Sequence, residues 1–317
     1  MTLRRSANRL AGLALIALLA ACAAGLEKTT MAHAQTRPEG AFVSLQGGQV
    51  HAIVRGQGPD LVMIHGANGN ARDFSFELID RLAGEFRVIA FDRPGFGFSE
   101  AFDGLESPVE QADILRAAAA ALGVVRPILL GHSYGGAVAM AWALRAGDDL
   151  AGMTLLAPAT HPWPGELGLW YRLTASWLGQ TLVLPAVARI APRESVERTL
   201  AGVFAPDPVP EGYLDHLGYD LTMRVGQLTL NARQVNSLRA HVEAMAPGYP
   251  ALSLPIEVVH GSEDVTVGLR YHAERLVKDV ESARLTRLDG VGHMPHHARP
   301  EDVVAAVERT AARAGLR

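Results

Sequence analysis

The chain has a single cysteine, Cys22, among its 317 residues, so it cannot form an internal disulfide bond. It also lacks the paired cysteines of a structural zinc site and the glycine-rich loop of a nucleotide-binding protein. The sequence has no block of basic residues, and its formal net charge is −4. Both features argue against nucleic acid as a partner. Stability must therefore come from a packed core, which a composition of 49% hydrophobic and 20% charged residues can supply.

The chain has no apolar run long enough to span a bilayer comfortably, and its clearest short apolar run lies near the N-terminus. This run extends from Leu10 to Ala21 and follows Arg4, Arg5 and Arg9. It is too short to span a bilayer comfortably but is typical of a secretory signal peptide. The sequence therefore predicts export to a bacterial cell envelope, with residues 1–21 as the signal peptide and residues 22–40 as a polar tether.

The apolar run ends in Leu19-Ala20-Ala21-Cys22, which resembles the lipobox of bacterial lipoproteins. In that motif the cysteine receives a diacylglycerol and becomes the mature N-terminus, so the resemblance implies lipidation of Cys22 and a membrane anchor. A second pattern, Ala32-His33-Ala34 before Gln35, is typical of ordinary signal peptidase cleavage. Cleavage there would give a soluble periplasmic or secreted protein. The sequence gives no indication of the oligomeric state.

From residue 41 onward, short apolar stretches alternate with segments long enough for helices, which predicts an α/β fold with a mostly parallel sheet. A hairpin around Gly47-Gly48 precedes these stretches, and helices are predicted from Ser107 to Leu122 and from Pro300 to Ala314. The predicted strands are Phe42–Leu45, Val50–Val54, Leu61–Ile64, Phe86–Phe91, Ile128–Leu130, Met153–Leu156, Ile256–Val259 and Ala283–Leu288.

The alternation stops over residues 159–250, where helical stretches, prolines and aromatic residues predict a helical lid. The catalytic core would then comprise residues 41–158 and 251–317. We expect the aromatic side chains of the lid to serve mainly in packing, with an acyl or aromatic pocket as the alternative. These aromatic residues are Trp163, Trp170, Tyr171, Trp177, Phe204, Tyr213 and Tyr219.

The most specific motif is Gly131-His132-Ser133-Tyr134-Gly135, which ends a strand and opens an alanine-rich helix. A Gly-x-Ser-x-Gly turn in that position indicates a nucleophile elbow, in which the serine hydroxyl is presented at the edge of the sheet. A serine hydroxyl is a weak nucleophile by itself. The interpretation therefore requires a general base, an acid that orients the base, and donors for an oxyanion.

Candidates for the acid and the base follow the last two predicted strands. Asp264 comes just after Ile256–Val259, and His293 follows Gly290-Val291-Gly292 after the final strand. Glu263 is an alternative acid beside Asp264. His296 and His297 also lie near His293, but in such a run they are expected to be surface or supporting residues.

The chain from residue 41 to its end resembles the α/β-hydrolase superfamily. The resemblance rests on the elbow, the order Ser, Asp, His, the loop His65–Gly69, the segment Asp92–Ser99, and the positions of the hairpin and the lid. It implies an α/β-hydrolase fold, a mostly parallel central sheet with helices on both faces and a helical lid insertion.

The same resemblance implies roles for individual residues. Ser133 would be the nucleophile, His293 the base and Asp264 the acid that orients it, while the backbone amides of Ala67 and Tyr134 would form the oxyanion hole. His65, His132 and the Asp92 segment are expected to be structural.

These observations predict a serine hydrolase that cleaves carboxylic esters of small or medium acyl groups and needs no cofactor. His241, His260 and His272 lack metal-ligand spacing, so no metal is expected. Thioesters, lactones, carbon–carbon bonds and peracid formation remain alternatives on the same residues. A non-catalytic binding protein on this fold is the alternative of another class. Serine at the elbow argues against the dehalogenase and epoxide hydrolase branches, which the resemblance associates with aspartate there.

Overall fold

The computed structural model describes residues 36–317, of which Pro38–Arg317 form one compact unit. The predicted signal peptide, Cys22 and the cleavage site before Gln35 lie outside the described residues, as does most of the predicted tether. Within residues 36–317, no helix is both long enough and apolar enough to cross a bilayer.

An eight-stranded sheet forms the centre of the described part of the chain, with the strand order β1-β2-β4-β3-β5-β6-β7-β8. Strand β2 is antiparallel to both of its neighbours, and all the pairs from β4 across to β8 are parallel. The strands are β1 Ala41–Leu45, β2 Gly48–Arg55, β3 Asp60–Ile64, β4 Arg87–Phe91, β5 Ile128–His132, β6 Gly152–Leu156, β7 Ile256–Gly261 and β8 Ala283–Leu288.

The sheet is buried on both faces because successive residues of a strand point to opposite sides. In β3, Val62 and Ile64 belong to one hydrophobic cluster, whereas Leu61 and Met63 belong to the other. This explains why the inner strands read as continuous apolar runs.

Helices cover both faces of the sheet. The helices outside residues 159–250 are α1 Arg72–Ser75, α2 Leu78–Leu82, α3 Pro108–Ala121, α4 Tyr134–Ala146, α11 Ala273–Asp279, α12 Pro295–Ala298 and α13 Pro300–Arg313. Buried residues of α3, α4 and α11 join the first cluster, and those of α1, α2 and α13 join the second. The α/β fold class with a mostly parallel sheet is therefore confirmed.

The predicted ends of the elements agree closely with the observed ones. The hairpin turns at Gly47, whose φ of +103° favours glycine, and it pairs β1 with β2. Helix α3 begins after Ser107, whose hydroxyl accepts a hydrogen bond from the Val109 N–H at 3.0 Å. This contact satisfies an amide that the helix itself leaves without a partner.

Residues 159–250, which we call the insertion, leave the sheet between β6 and β7. The insertion contains α5 Leu169–Ala175, a π-helical turn Gly179–Val183, α6 Leu184–Ile190, α7 Arg193–Phe204, α8 Tyr213–Leu217, α9 Tyr219–Thr222, α10 Val225–Met245 and a 3₁₀ helix that starts at Ala246. Phe204 and Tyr213 are buried, as expected for packing residues. The expectation of packing is wrong for Trp170 and Trp177, which are 50% and 74% exposed.

Candidate active site

Ser133 lies in the sharp turn that joins β5 to α4. Its φ of +52° and ψ of −117° are a strained conformation for a residue with a side chain. Glycines make the turn possible: a Cβ on Gly131 would lie 2.6 Å from the Gly135 carbonyl oxygen, and one on Gly135 would lie 2.1 Å from that of Ile64. The turn directs the Ser133 side chain to the carboxyl ends of the parallel strands, where such sheets place their ligands.

The structure brings Ser133, His293 and Asp264 together in one chain of hydrogen bonds. Nε2 of His293 lies 3.0 Å from Ser133 Oγ, and Nδ1 lies 2.7 Å from Oδ2 of Asp264. All three residues are buried, with exposures of 7%, 3% and 7% for Ser133, His293 and Asp264. Because the Asp264 carboxylate accepts a hydrogen bond from His293 Nδ1, the neutral imidazole carries its proton on Nδ1. This leaves Nε2 free to accept the serine proton.

Asp264 has hydrogen-bond donors at both carboxylate oxygens. Oδ1 accepts from the Thr266 and Val267 amides at 2.8 Å each, while Oδ2 faces His293 and, at 3.1 Å, Nε2 of His260. Burial opposes ionisation, but the hydrogen bonds from His260 and His293 hold the pKa of Asp264 below its ordinary value. Asp264 therefore stays ionised, and its donors hold the carboxylate in one position.

Glu263, the alternative acid, lies elsewhere. Its side chain is exposed, and Oε1 accepts a hydrogen bond from its neighbour Ser262 at 3.2 Å. The Glu263 N–H donates to the Val291 carbonyl oxygen at 2.9 Å. Only Asp264 of this pair is in contact with the His293 ring.

His260 is a member of the site that the sequence interpretation missed. Its Nε2 faces two acceptors, Asp264 Oδ2 and the Val267 carbonyl oxygen at 2.8 Å, so that nitrogen must carry a proton. His260 thus fixes the turn that holds Asp264. The available signal was its position at the end of β7, four residues before the acid, but its role could not be inferred without the turn geometry.

The predicted oxyanion loop follows β3 and lies against the elbow. A Cβ on Gly66 would come within 3.2 Å of Ser133 Cβ, which shows how closely the two turns approach. Ala67, the next residue, is exposed, whereas Tyr134 is the first residue of α4. The Tyr134 amide has no carbonyl partner within its helix and lies at the positive end of the helix dipole. The Tyr134 amide therefore adjoins the serine at a helix end suited to negative charge, and the role of the Ala67 amide stays a prediction.

His65 has the structural role expected of it. Its Nδ1 bonds to the Gly66 carbonyl oxygen at 2.9 Å, and Nε2 accepts from the Arg93 amide at 2.9 Å. Complete burial and the nearby Arg93 lower the pKa of His65 to about 3, so the ring is neutral at physiological pH. The Asp92 carboxylate likewise braces its loop by accepting from the Ala71 and Phe98 amides at 2.7 and 2.8 Å.

Arg93 is completely buried and supports the oxyanion loop from behind. Its guanidinium donates to the carbonyl oxygens of His65 and Gly66 at 3.1 and 3.0 Å and to the side chains of Gln111 and Gln234 at 2.6 and 2.8 Å. Within residues 36–317, no carboxylate forms a salt bridge with it. It also lies over the ring of Tyr134, 4.5 Å from the centroid. Burial lowers its pKa only to about 10, so a positive charge stays beneath the site.

The insertion holds both loops of the site. Asp207 accepts from the Gly292 amide at 2.8 Å, directly before His293. On the other side, the Gln227 side chain donates to Oδ1 of Asn68, in the predicted oxyanion loop, at 3.4 Å. Because residues of the insertion bond to the base-bearing loop and to the oxyanion loop, its position is coupled to the geometry of the site.

A second buried carboxylate, Asp73, lies behind His293. It accepts from Tyr213 Oη at 2.7 Å and from Nε2 of His297 and His296 at 2.8 and 3.1 Å. Burial alone would raise the pKa of Asp73, but the two histidines hold it well below its ordinary value. The sequence predicted surface or supporting positions for these two histidines. A surface position is wrong, because both rings are buried against Asp73, which is 223 and 224 positions away and was not predicted.

The Asp73 group has ligand atoms of the kind that bind divalent metals, within 4.8 Å of one another. However, both carboxylate oxygens already accept hydrogen bonds, and Nδ1 of His296 and of His297 has no partner among the described residues. A metal-bound histidine normally donates its other N–H to an acceptor. We therefore interpret the group as a hydrogen-bonded carboxylate. His132 extends it toward the site, since its Nε2 donates to the His293 carbonyl oxygen at 3.0 Å.

Comparison with known proteins is consistent with the fold described above. The sequence model of the alpha/beta hydrolase family matches residues 61–307. An uncharacterized protein of Mycobacterium tuberculosis is 28% identical over 268 residues, which is 81% of this chain and 76% of that protein. A pimeloyl-[acyl-carrier protein] methyl ester esterase of Nitrosomonas europaea is 27% identical over 277 residues, 82% of this chain and 98% of the esterase.

Among solved structures, a putative lipase of Acinetobacter baumannii has the same fold. It superposes with a TM-score of 0.72 at 18% identity and covers 87% of this chain and 92% of its own.

Proposed function

Because the chain belongs to the alpha/beta hydrolase family, we propose that it is a serine hydrolase that cleaves carboxylic esters of small or medium acyl groups. The observation that carries the proposal is the chain of hydrogen bonds from Ser133 through His293 to Asp264, with contacts of 3.0 and 2.7 Å. A nucleophile, a base and an orienting carboxylate in this arrangement are what acyl transfer to serine requires.

In the proposed reaction, His293 Nε2 takes the Ser133 proton as Oγ attacks the acyl carbonyl carbon. The carbonyl oxygen becomes an oxyanion, to which the amides of Ala67 and Tyr134 donate. As the intermediate collapses, the imidazolium returns its proton to the departing alkoxide, and an alcohol leaves. Water then attacks the acyl-enzyme, with His293 again taking and returning one proton, to release the acid and restore Ser133.

The ester bond is favoured because one relative of nearly full-length coverage is named as a methyl ester esterase. The same residues could also act on thioesters, lactones or carbon–carbon bonds beside a carbonyl, or could form peracids. A panel of acyl donors of graded length, with a thioester, a lactone and a vinylogous diketone, tests the bond type. The proposal predicts the highest kcat/KM on an oxygen ester of a short or medium acyl group.

Covalent labelling separates an enzyme from a non-catalytic binding protein. We expect a fluorophosphonate to form one adduct on Ser133, and the Ser133→Ala variant to lose both the adduct and the turnover of p-nitrophenyl esters while keeping its circular dichroism spectrum. A wild-type protein with neither an adduct nor turnover would support the binding-protein alternative. An S133A variant that keeps its activity would show that another residue is the nucleophile.

We also propose that the protein is exported and attached to a membrane through a lipid on Cys22. Residues 1–22 carry the sequence features that support this proposal. Mass spectrometry of the mature N-terminus tests it: a cysteine that carries a diacylglyceryl group on its sulfur is expected at the first position. A chain that begins at Gln35 without lipid would instead indicate a soluble periplasmic or secreted protein.

A further inference from the structure

Arg93 is a fully buried guanidinium whose hydrogen-bond partners are all uncharged. All four hydrogen bonds that its side chain donates among residues 36–317 end on amide oxygens, those of the His65 and Gly66 backbone and of the Gln111 and Gln234 side chains. A carboxylate partner would cancel the charge, whereas these oxygens leave it in place. Because burying a charge is costly and a neutral side chain can brace a loop, the retained charge points to a role beyond bracing.

The Gly66 carbonyl oxygen is the first contact through which this charge can act. It accepts from Arg93 Nη2 at 3.0 Å and from His65 Nδ1 at 2.9 Å. The Gly66 carbonyl and the Ala67 N–H belong to one planar peptide group with delocalised electrons. Donors at the carbonyl oxygen draw electron density from the nitrogen, so they make the Ala67 N–H a stronger hydrogen-bond donor.

The second contact is with Tyr134, whose backbone amide is the other predicted oxyanion donor. The guanidinium carbon of Arg93 lies 4.5 Å from the centroid of the Tyr134 ring and 4.3 Å from that of Phe96. Gln111, which accepts from Arg93 at 2.6 Å, also donates to Tyr134 Oη at 3.2 Å. One cation is therefore in contact with both turns that carry the predicted donors.

We propose that Arg93 is a positioning residue of the oxyanion hole, and that its uncancelled positive charge strengthens the hole for the oxyanion. The charge acts through the Gly66–Ala67 peptide and, across the low-dielectric interior, on the negative charge that develops on the substrate oxygen. That oxygen is neutral in the bound ester, so the effect is confined to the transition state and the tetrahedral intermediate. The inference rests on the proposed function, because only acyl transfer at Ser133 forms this oxyanion.

A purely structural brace is the alternative, and it predicts a different response to an added charge. Hydrogen bonds from Arg93 would hold the loop whether or not its charge is cancelled. Truncation of Arg93 does not separate the two roles, because it removes the charge and the contacts together. Gln111 and Gln234 allow the separation, since their side-chain oxygens lie 2.6 and 2.8 Å from Arg93 Nη1.

The test replaces one of these amides with a carboxylate of the same size. Gln111→Glu keeps an acceptor beside Arg93 but adds a negative charge that cancels the guanidinium. Gln111→Met is the matched control, because it loses the same NH₂ contacts to the Leu105 carbonyl oxygen and Tyr134 Oη without adding charge. We expect kcat for p-nitrophenyl acetate to be at least about tenfold lower in Q111E than in Q111M, with KM values within about twofold.

Circular dichroism and Tm verify that the variants are folded. Gln234→Glu and Gln234→Met repeat the comparison from α10 and should give the same order of kcat, so the result does not depend on the fold tolerating one substitution.

A trifluoromethyl ketone gives a readout that is specific to the oxyanion, because its adduct with Ser133 carries a negatively charged oxygen. Its inhibition constant should be higher in Q111E than in Q111M by about the factor that separates their kcat/KM values. The corresponding secondary alcohol forms no adduct and should bind the two variants within about twofold of each other.

Equal kcat in folded Q111E and Q111M, with an active wild-type enzyme, would overturn the inference and leave the proposed function standing. A lower kcat in Q111E with an unchanged inhibition constant would also overturn it, because the added charge would then act elsewhere than on the oxyanion. A wild-type protein that neither hydrolyses esters nor reacts with a fluorophosphonate would refute the proposed function, and the inference with it.

Discussion

Replacing Asp264 with asparagine tests the candidate site most sharply, because the structure fixes how the new amide must lie. The backbone amides of Thr266 and Val267, each 2.8 Å from Oδ1, require an oxygen at that position. The NH₂ group of the asparagine must then occupy the position of Oδ2, where His293 Nδ1 lies 2.7 Å away. Two donors would face each other across this short contact.

The imidazole of His293 resolves the conflict by moving its proton from Nδ1 to Nε2. Nε2 then faces Ser133 Oγ as a donor, and it cannot accept the serine proton. The variant also loses the carboxylate that stabilises the imidazolium. We expect kcat to fall about 10⁴-fold, which corresponds to about 5 kcal/mol of transition-state stabilisation.

The assay is kcat and KM for p-nitrophenyl acetate at pH 7.5, with circular dichroism to verify folding. Glu263→Gln is the matched control: it removes the neighbouring carboxylate, which is exposed and bonded to Ser262, so kcat should stay within about twofold of wild type. A folded D264N variant that keeps more than a tenth of wild-type kcat would refute the reasoning from hydrogen-bond geometry. A large loss in E263Q with an active D264N would show that the acid is Glu263.

Three further predictions concern the frame around the site. Burial lowers the pKa of both His65 and His272 from the ordinary 6.5 to about 3. The unfolded chain therefore binds protons that the folded chain excludes. Stability must fall as the pH decreases from about 6.5 to about 3. The free energy of unfolding from urea titrations should therefore decrease through this range, and a value constant between pH 6.5 and pH 4 would contradict the assignment. Gly135→Ala should prevent accumulation of folded protein, because its Cβ would lie 2.1 Å from a carbonyl oxygen of β3; a soluble variant with wild-type Tm would show that the elbow can relax. Asp207→Ala removes the acceptor 2.8 Å from the Gly292 amide and should lower kcat about tenfold with a change in Tm of only a few degrees, whereas unchanged kcat would mean that the insertion does not position the base.

The fold was largely predictable because its signals are local. Val62 and Ile64 face one cluster and Leu61 and Met63 the other, so a strand buried on both faces must be a continuous apolar run, and such a run is visible in the sequence. Ser107 marks a helix start for an equally local reason, since its hydroxyl bonds to an amide two residues away.

The supporting network of the site was less predictable because its partners are distant along the chain. Asp73 meets His296 and His297 across 223 and 224 residues, and Arg93 reaches Gln234 across 141. The exposure of Trp177 was also hidden, because an aromatic residue in a helical segment has the same local pattern whether it packs inward or faces outward.

The sequence by itself determined the succession of strands and helices along the chain, the position of the Ser133 elbow, and the candidates Asp264 and His293 at strand ends. Period-two burial, helix capping and the need for glycine in a strained turn all act within a few residues, so the local sequence records them. Only the tertiary structure decided that Asp264 rather than Glu263 contacts His293, that His260 and Asp73 support the site, and that two tryptophans of the insertion are exposed. These outcomes depend on which side chains meet across the packed sheet, and that is set by the whole fold at once.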